Sequence, residues 1–113
     1  MKAIDTTLAP VTRRAIVQYA GIVQDFNPVH YDDAFARAAG LPGIIAQGPL
    51  TFTLVLDALI AAHGLEQVGG LRCRLKAPVV PGDALRVRCT EAGEVQVDSA
   101  GSPRAVATLV PRN

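Results

Sequence analysis

The segment between Gly48 and Gly64 constrains the fold most, because its side chains are apolar on nearly every side. Gly48 and Pro49 suit the N-cap and first residue of a helix, and Gly64 suits the position after its end. At 1.5 Å per residue, the predicted helix of about fourteen residues is about 21 Å long. A helix that is apolar all round has to be buried all round. The remainder of the chain is therefore expected to surround it.

The sequence after this helix changes from a helical period to a period of two. Residues 71–76 (LRCRLK) and 85–90 (LRVRCT) alternate apolar and polar side chains, as half-buried antiparallel strands do. The linking APVVPGD, residues 77–83, suits a bend and a turn. Further strands are predicted at 2–9, 94–99 and 104–110. The expected inward side chains are Leu71, Cys73, Leu75, Leu85, Val87 and Cys89, and the outward ones are Arg72, Arg74, Lys76, Arg86, Arg88 and Thr90.

These patterns predict an α+β fold in which an antiparallel sheet of about five strands wraps around one long central helix. The length of 113 residues allows one domain, residues 1–113. A sheet this small leaves part of the helix and one strand edge uncovered, so we expect a dimer.

Charge and composition restrict the partners. The net charge is +1 and the basic residues are scattered, so neither nucleic acid nor an anionic membrane is an expected partner. Cys73 and Cys89 lack metal-site spacing, and we interpret both as buried apolar residues with no metal bound. The first residues lack the plan of a signal peptide, and polar residues interrupt the longest apolar stretch. We therefore expect a cytoplasmic protein that acts on small molecules.

The hexapeptide DFNPVH, residues 25–30, combines a carboxylate and an imidazole. Thr12 is the predicted N-cap of a helix that ends near Gln24, and YDDAFARAAG, residues 31–40, forms a second short helix. Proline disfavours helix at the residue before it, so the hexapeptide is predicted to be irregular or extended. Asp25 and His30 fit ordinary turn roles, but rigid flanking elements also suit an acid–base pair.

The segment YAGIVQDFNPVHYDDAFARAAG, followed by GIIAQGPLT, resembles the MaoC-like, R-specific enoyl-CoA hydratase family. The family signature is Y/F-x-x-x-S-G-D-x-N-P-I/L-H followed by I-A-H-G-M, and the resemblance extends from Thr12 to residue 83. It implies a hot-dog fold, with Asp25 and His30 as catalytic residues, Asn27 as a structural residue and Gly48 as the backbone donor to an oxyanion.

The implied reaction is reversible addition of water to a trans-2-enoyl thioester, which gives the (R)-3-hydroxyacyl thioester. The expected substrate is an acyl-CoA or an acyl-carrier-protein thioester, and no cofactor is expected. How Asp25 and His30 divide the two proton transfers stays open, because a close pair titrates as a unit.

Three departures from the signature bear on substrate choice. Gln24 replaces the usual glycine, Val23 replaces serine, and AQGPL replaces AHGML. We assign substrate binding to Asn27, Gln47, Pro49 and Leu50. Thr51 and Thr53 offer hydroxyl groups without an assigned role, Asp57 is unassigned, and His63 suits the end of the central helix.

Two alternatives to a hydratase stay open. One is a non-catalytic or half-site hot-dog subunit of a hetero-oligomeric dehydratase, since little chain is left to enclose an acyl tail. The other is an acyl-CoA thioesterase, which also uses a carboxylate and a helix N-terminus. The expected assembly is a homodimer or a hetero-oligomer with another hot-dog chain.

Overall fold

The computed structural model describes every residue from 1 to 113. It contains three α-helices, five β-strands and two single turns of 3-10 helix. The helices are α1 (Arg13–Val23), α2 (Asp33–Ala38) and α3 (Gly48–His63), and the 3-10 turns are Pro28–His30 and Leu65–Gln67. The strands are β1 (Ile4–Thr7), β2 (Val68–Leu75), β3 (Arg86–Cys89), β4 (Glu94–Ser99) and β5 (Ser102–Pro111).

The five strands form one antiparallel sheet in the order β1-β3-β4-β5-β2, which confirms the predicted α+β architecture. The predicted bounds of β4 are confirmed, whereas β1 and α2 are shorter than predicted. Strand β2 begins before residue 71 because its first residue, Val68, pairs with Pro111 at the end of β5. A register shift between Val68 and Gly70 accommodates Gly69, where a side chain would lie 2.7 Å from the Pro111 carbonyl oxygen.

The core lies between the inner face of the sheet and one stripe of α3. Val55 and Leu59 of α3 pack in the same buried cluster as Val87 of β3 and Val97 of β4. Only four α3 residues are buried, namely Leu50, Thr51, Val55 and Leu59. The prediction that this helix is buried all round is thus wrong for the single chain, because five strands cover only one side of it. None of the three α-helices has the length and apolar character of a membrane-spanning segment.

An apolar groove of about 240 Å³ lies between α3 and the edge strand β2. It is lined by Phe52, Thr53, Leu56, Leu71 and Cys73. Cys89 is buried as predicted, but Cys73 is only half-buried, because no strand covers the outer side of β2. The uncovered side of α3 and the free edge of β2 therefore form one continuous surface, which we call the β2–α3 face.

Candidate active site

Helix α1 carries the chain to the first residue of the candidate site. Its N-cap is Thr12 as predicted, and the Thr12 hydroxyl accepts a hydrogen bond from the Ala15 N–H at 3.0 Å. The helix ends through Gln24, whose left-handed conformation has φ 58°. Glycine adopts this conformation at least cost, which explains the usual glycine of the family signature at this position. Asp25 therefore lies just after the end of the helix.

A single 3-10 turn separates Asp25 from His30. Asn27 is extended before Pro28, as predicted, and its side-chain oxygen accepts from the Val29 N–H at 3.2 Å. The Asp25 carboxylate accepts from the Asn27 N–H at 3.3 Å. The prediction of an irregular or extended segment is wrong for residues 28–30, because the Asn27 cap and the fixed φ of proline together start a turn.

The turn places the Asp25 carboxylate 3.4 Å from His30 Nε2. The other ring nitrogen, Nδ1, lies 2.8 Å from the Ile45 carbonyl oxygen. Because a carbonyl oxygen only accepts, Nδ1 carries hydrogen, and Nε2 of the neutral ring keeps its lone pair toward Asp25. An ionised Asp25 also offers only acceptors, so the neutral ring and the carboxylate do not hydrogen-bond each other directly. The imidazole side chain is 10% exposed and the carboxylate side chain 44%, so solvent reaches the pair from the Asp25 side.

Hydrogen bonds from three directions fix the chain between His30 and α3. The Ile45 N–H donates to the Val29 carbonyl at 3.0 Å, and the Ala46 N–H donates to the Val79 carbonyl at 2.7 Å. The Ile44 N–H donates to the Asp33 carboxylate at 3.0 Å. Ile45, which orients His30, is three residues before Gly48, a span of at most about 11 Å. The pair and the helix N-terminus are therefore held on one framework.

The Asp33 carboxylate belongs to the same framework, because its negative charge binds groups from two other segments. The Ile44 N–H, and then the Arg13 guanidinium at 2.8 Å, hold the pKa of the Asp33 carboxyl below its usual range. The carboxylate thus joins the start of α1 to the segment before α3. No local sequence pattern indicates this role, because the groups that Asp33 contacts lie 11 and 20 residues away.

Gly48 is the first residue of α3, and Gln47, not Gly48, is its N-cap. The Gln47 carbonyl accepts from the Thr51 N–H at 3.1 Å, which starts the helix one residue earlier than predicted. As the first helical residue, Gly48 has an N–H with no partner inside the helix. A side chain at Gly48 would lie 3.3 Å from Leu75 Cδ1, so glycine allows the close approach of Leu75 to the start of the helix.

The residues assigned to substrate binding lie in different environments. Gln47 and Leu50 are buried, and the Gln47 amide donates to the Ile16 carbonyl at 2.9 Å. Asn27 and Pro49 are exposed, although the Asn27 side chain serves as the turn cap. Substrate binding by these four stays a prediction, and the structure gives Gln47 and Asn27 structural contacts as well.

The hydroxyl and charged residues left unassigned lie along α3. Thr51 and Thr53 donate to the carbonyls of Gln47 and Pro49 in their own helix. His63 occupies the last turn as predicted. Asp57 is exposed and borders an apolar cavity of about 390 Å³ between α3 and the connection from β1 to α1.

Comparison with known proteins assigns the chain to a family. The family model described as MaoC like domain matches residues 2–109. Fatty acid synthase subunit beta of Aspergillus oryzae is 37% identical over 73 residues, which are 62% of this chain and 4% of that protein. Enoyl-CoA hydratase ChsH3 of Mycobacterium tuberculosis is 33% identical over 82 residues, which are 70% of this chain and 29% of that protein. The chain therefore spans less than a third of either relative.

A solved structure confirms the fold. The ChsH1-ChsH2 complex from Mycobacterium tuberculosis contains a chain that superposes with a TM-score of 0.79 at 19% identity, over 99% of this chain and 93% of that chain. The sheet and α3 have the arrangement described above, and the family model matches almost the whole length of this chain. This chain therefore belongs to the MaoC-like domain family and has the hot-dog fold.

Proposed function

We propose that the chain is a hydratase/dehydratase that interconverts trans-2-enoyl and (R)-3-hydroxyacyl thioesters. The observation that carries the proposal is the 3.4 Å approach of Asp25 to His30 Nε2. The Ile45 carbonyl orients His30, and the same segment leads into the N-terminus of α3 at Gly48. Membership of the MaoC-like family and the similarity to an enoyl-CoA hydratase support the same reaction class.

The two side chains suit the proton transfers of hydration. In this reaction the oxygen of water bonds to the β-carbon, one hydrogen of that water goes to the pair, and the pair delivers one proton to the α-carbon. The Nε2 lone pair of neutral His30 and the carboxylate of Asp25 are the two acceptors beside the water. Over the cycle the enzyme neither gains nor loses a proton. The two groups lie 3.4 Å apart, so the two transfers are assigned to the pair jointly.

The N-terminus of α3 suits the negative charge that develops during addition. As water bonds to the β-carbon, electron density moves to the thioester oxygen. The Gly48 N–H and the positive end of the helix dipole would stabilise that oxygen. Gly48 supplies the first N–H of the helix and Pro49 supplies none, so the next backbone donor is Leu50. The thioester belongs to coenzyme A or to an acyl carrier protein.

The test is turnover of enoyl-CoA substrates of graded length and bulk, beginning with crotonyl-CoA. Loss of the conjugated double bond is followed by absorbance. We expect Asp25→Asn and His30→Ala to lower kcat about a hundredfold or more, because each removes a general acid–base group. Asp57→Asn and His63→Gln change the same residue types outside the pair and should keep activity. Turnover that is absent with every substrate, or is unchanged in the Asp25 and His30 variants, contradicts the proposal.

The open surroundings of the pair favour a second candidate, in which this chain supplies one part of a site completed by another hot-dog chain. Beside the half-exposed Asp25, Phe26 is 62% exposed and Ile22 is 78% exposed. Neighbouring apolar side chains that are exposed together suit an interaction surface. One chain of the ChsH1-ChsH2 complex superposes on this chain, and that structure is an assembly of two different chains. Activity that appears only when a second hot-dog chain is added would favour this candidate over a self-sufficient enzyme.

A further inference from the structure

We propose that the β2–α3 face docks a different hot-dog chain whose own edge strand carries carboxylates, in preference to a second copy of this chain. This inference rests on the association included in the proposed function. It does not depend on catalysis, since association is measured without turnover.

The outer side of the free edge carries three cations, Arg72 and Arg74 in β2 and Lys76 directly after it, which we call the cationic row. Strand β2 is at the edge of the sheet and pairs only with β5. All three side chains are exposed. Their neighbours across the ladder do not neutralise them, because Arg72 faces Thr108 and Arg74 faces Val106. The row is therefore available to an incoming chain.

The other arginines on this sheet contrast with the cationic row. Arg86 pairs with Asp5 at 2.6 Å, Arg88 with Asp98 at 2.5 Å, and Arg104 with Asp83 at 3.1 Å. No carboxylate lies within 4.0 Å of a cation of the row. The uncompensated positive charge of the sheet is thus concentrated on its free edge, although the net charge of the whole chain is only +1.

The opposite side of the same edge is apolar. Leu71 and Cys73 of β2 and Phe52 and Leu56 of α3 line the groove of about 240 Å³. An occupant therefore meets apolar side chains on the helix side of the sheet and three cations on the outer side. A strand that continues the sheet, accompanied by an apolar helix, satisfies both conditions. A second hot-dog chain has these two parts in this arrangement.

Charge decides which hot-dog chain fits. Two copies that join their β2 strands antiparallel must keep outer side against outer side, so even-numbered positions face even-numbered positions. When the two-fold axis passes beside Arg72, Arg72 of one copy faces Arg72 of the other. When the axis passes beside Cys73, Arg72 of one copy faces Arg74 of the other. A register centred on Arg74 adds an Arg72–Lys76 contact. One centred on Leu71 leaves the two Arg72 side chains diagonal, about 7–8 Å apart. Every register over the middle of the strand therefore opposes like charges, whereas an acidic strand would pair favourably.

The test uses a charge-inverted copy of this chain as the acidic partner. The variant Arg72→Glu/Arg74→Glu/Lys76→Glu is mixed with the wild-type chain, and native mass spectrometry separates the dimers by mass. Pairing without preference would make the mixed dimer twice as abundant as each like dimer. At about 0.01 M salt we expect the mixed dimer to exceed that ratio about tenfold, because several opposed charges change sign. The excess should shrink at about 1 M salt, where the Debye length is about 3 Å.

Two control variants separate the cationic row from general charge. Arg72→Gln/Arg74→Gln/Lys76→Gln should strengthen self-association relative to the wild type, since it removes the opposed charges. Arg14→Gln/Arg37→Gln removes exposed cations outside β2 and should leave self-association unchanged. Circular dichroism verifies that each variant is folded. The inference is overturned if the mixture at low salt shows no excess of the mixed dimer. It is also overturned if the self-association of the wild type is changed neither by the Gln substitutions nor by salt. Either result leaves the hydratase proposal standing.

Discussion

The imidazole of His30 has two nitrogens in different surroundings, and this difference defines its chemistry. Nδ1 contacts a backbone carbonyl that cannot donate, and Nε2 faces a carboxylate. A histidine held in this way presents a basic nitrogen toward Asp25 without needing any other side chain to orient it. The orienting group belongs to Ile45, an apolar residue, so no motif of polar residues marks it in the sequence.

We expect neutral His30 to be the tautomer with hydrogen on Nδ1. Long-range ¹H–¹⁵N correlation spectra distinguish the two tautomers by their nitrogen shifts. The chain contains only two histidines, so the variant His63→Gln identifies the His30 signals. Because the Ile45 carbonyl is an acceptor at 2.8 Å, a spectrum with hydrogen on Nε2 would contradict the arrangement of the site.

At the scale of the elements, the connection from β2 to β3 is fixed by the buried Asp83. Its carboxylate accepts from the Ser99 hydroxyl at 2.8 Å, from Arg104 Nε at 3.1 Å and from the Val80 N–H at 2.8 Å. Burial by itself raises the pKa of Asp83, but the hydrogen bonds from Arg104, Val80 and Ser99 outweigh it and lower the pKa below the ordinary value. The same connection includes Val79, whose carbonyl holds Ala46 ahead of α3.

The lowered pKa of Asp83 makes stability depend on pH in a definite direction. The folded chain holds this proton less tightly than the unfolded chain, so the stabilisation is complete above the unfolded pKa of about 4 and is lost as pH falls through the lower folded pKa. We expect Asp83→Asn to be less stable at neutral pH and to lose less of its free energy of unfolding on acidification. Asp83→Ala, which strands Arg104, should cost about 3 kcal/mol at neutral pH.

Urea unfolding at a series of pH values from neutral to acid measures this effect. The exposed Asp57→Asn serves as the matched control and should follow the wild type. Parallel pH curves for Asp83→Asn and the wild type would show that Asp83 contributes no acid sensitivity.

The whole molecule exposes more surface than its mass requires. Its accessible area is 6376 Å², whereas a monomer of 11.8 kDa is expected to expose about 5,900 Å². The extents of 44 × 29 × 21 Å describe an elongated body. The β2–α3 face contributes to this excess, because five strands cover only one side of α3. Association is therefore the expected way to cover the face.

Leu56→Asp should prevent the mixed dimer between this chain and its charge-inverted copy while leaving the chain folded. Leu56 lines the groove and is only partly buried against the core, so an added carboxylate obstructs docking at less cost to the fold than at a fully buried position. Analytical ultracentrifugation of the mixture gives the association, and thermal unfolding gives the stability. Leu59→Asp is the contrasting variant, because Leu59 is fully buried and a charge there should unfold the chain. If the Leu56→Asp variant formed the mixed dimer as tightly as before, the groove would be excluded from the interface.

Local patterns in the sequence predict several elements correctly. The period of two predicted β4 at its observed bounds, Thr12 marked the start of α1, and Pro28 made Asn27 extended. The proximity of Asp25 and His30 also follows from the local sequence, because one turn joins them.

Tertiary structure decided everything that depends on contacts between distant residues. It began β2 early through pairing with β5, bound His30 to Ile45 and neutralised Arg86 and Arg88 but not Arg72 or Arg74. It also left α3 half-covered, because burial depends on how much sheet surrounds a helix and not on the helix sequence. Side-chain patterns report the conformation of a segment, whereas hydrogen-bond partners and charge compensation are set only when the segments meet.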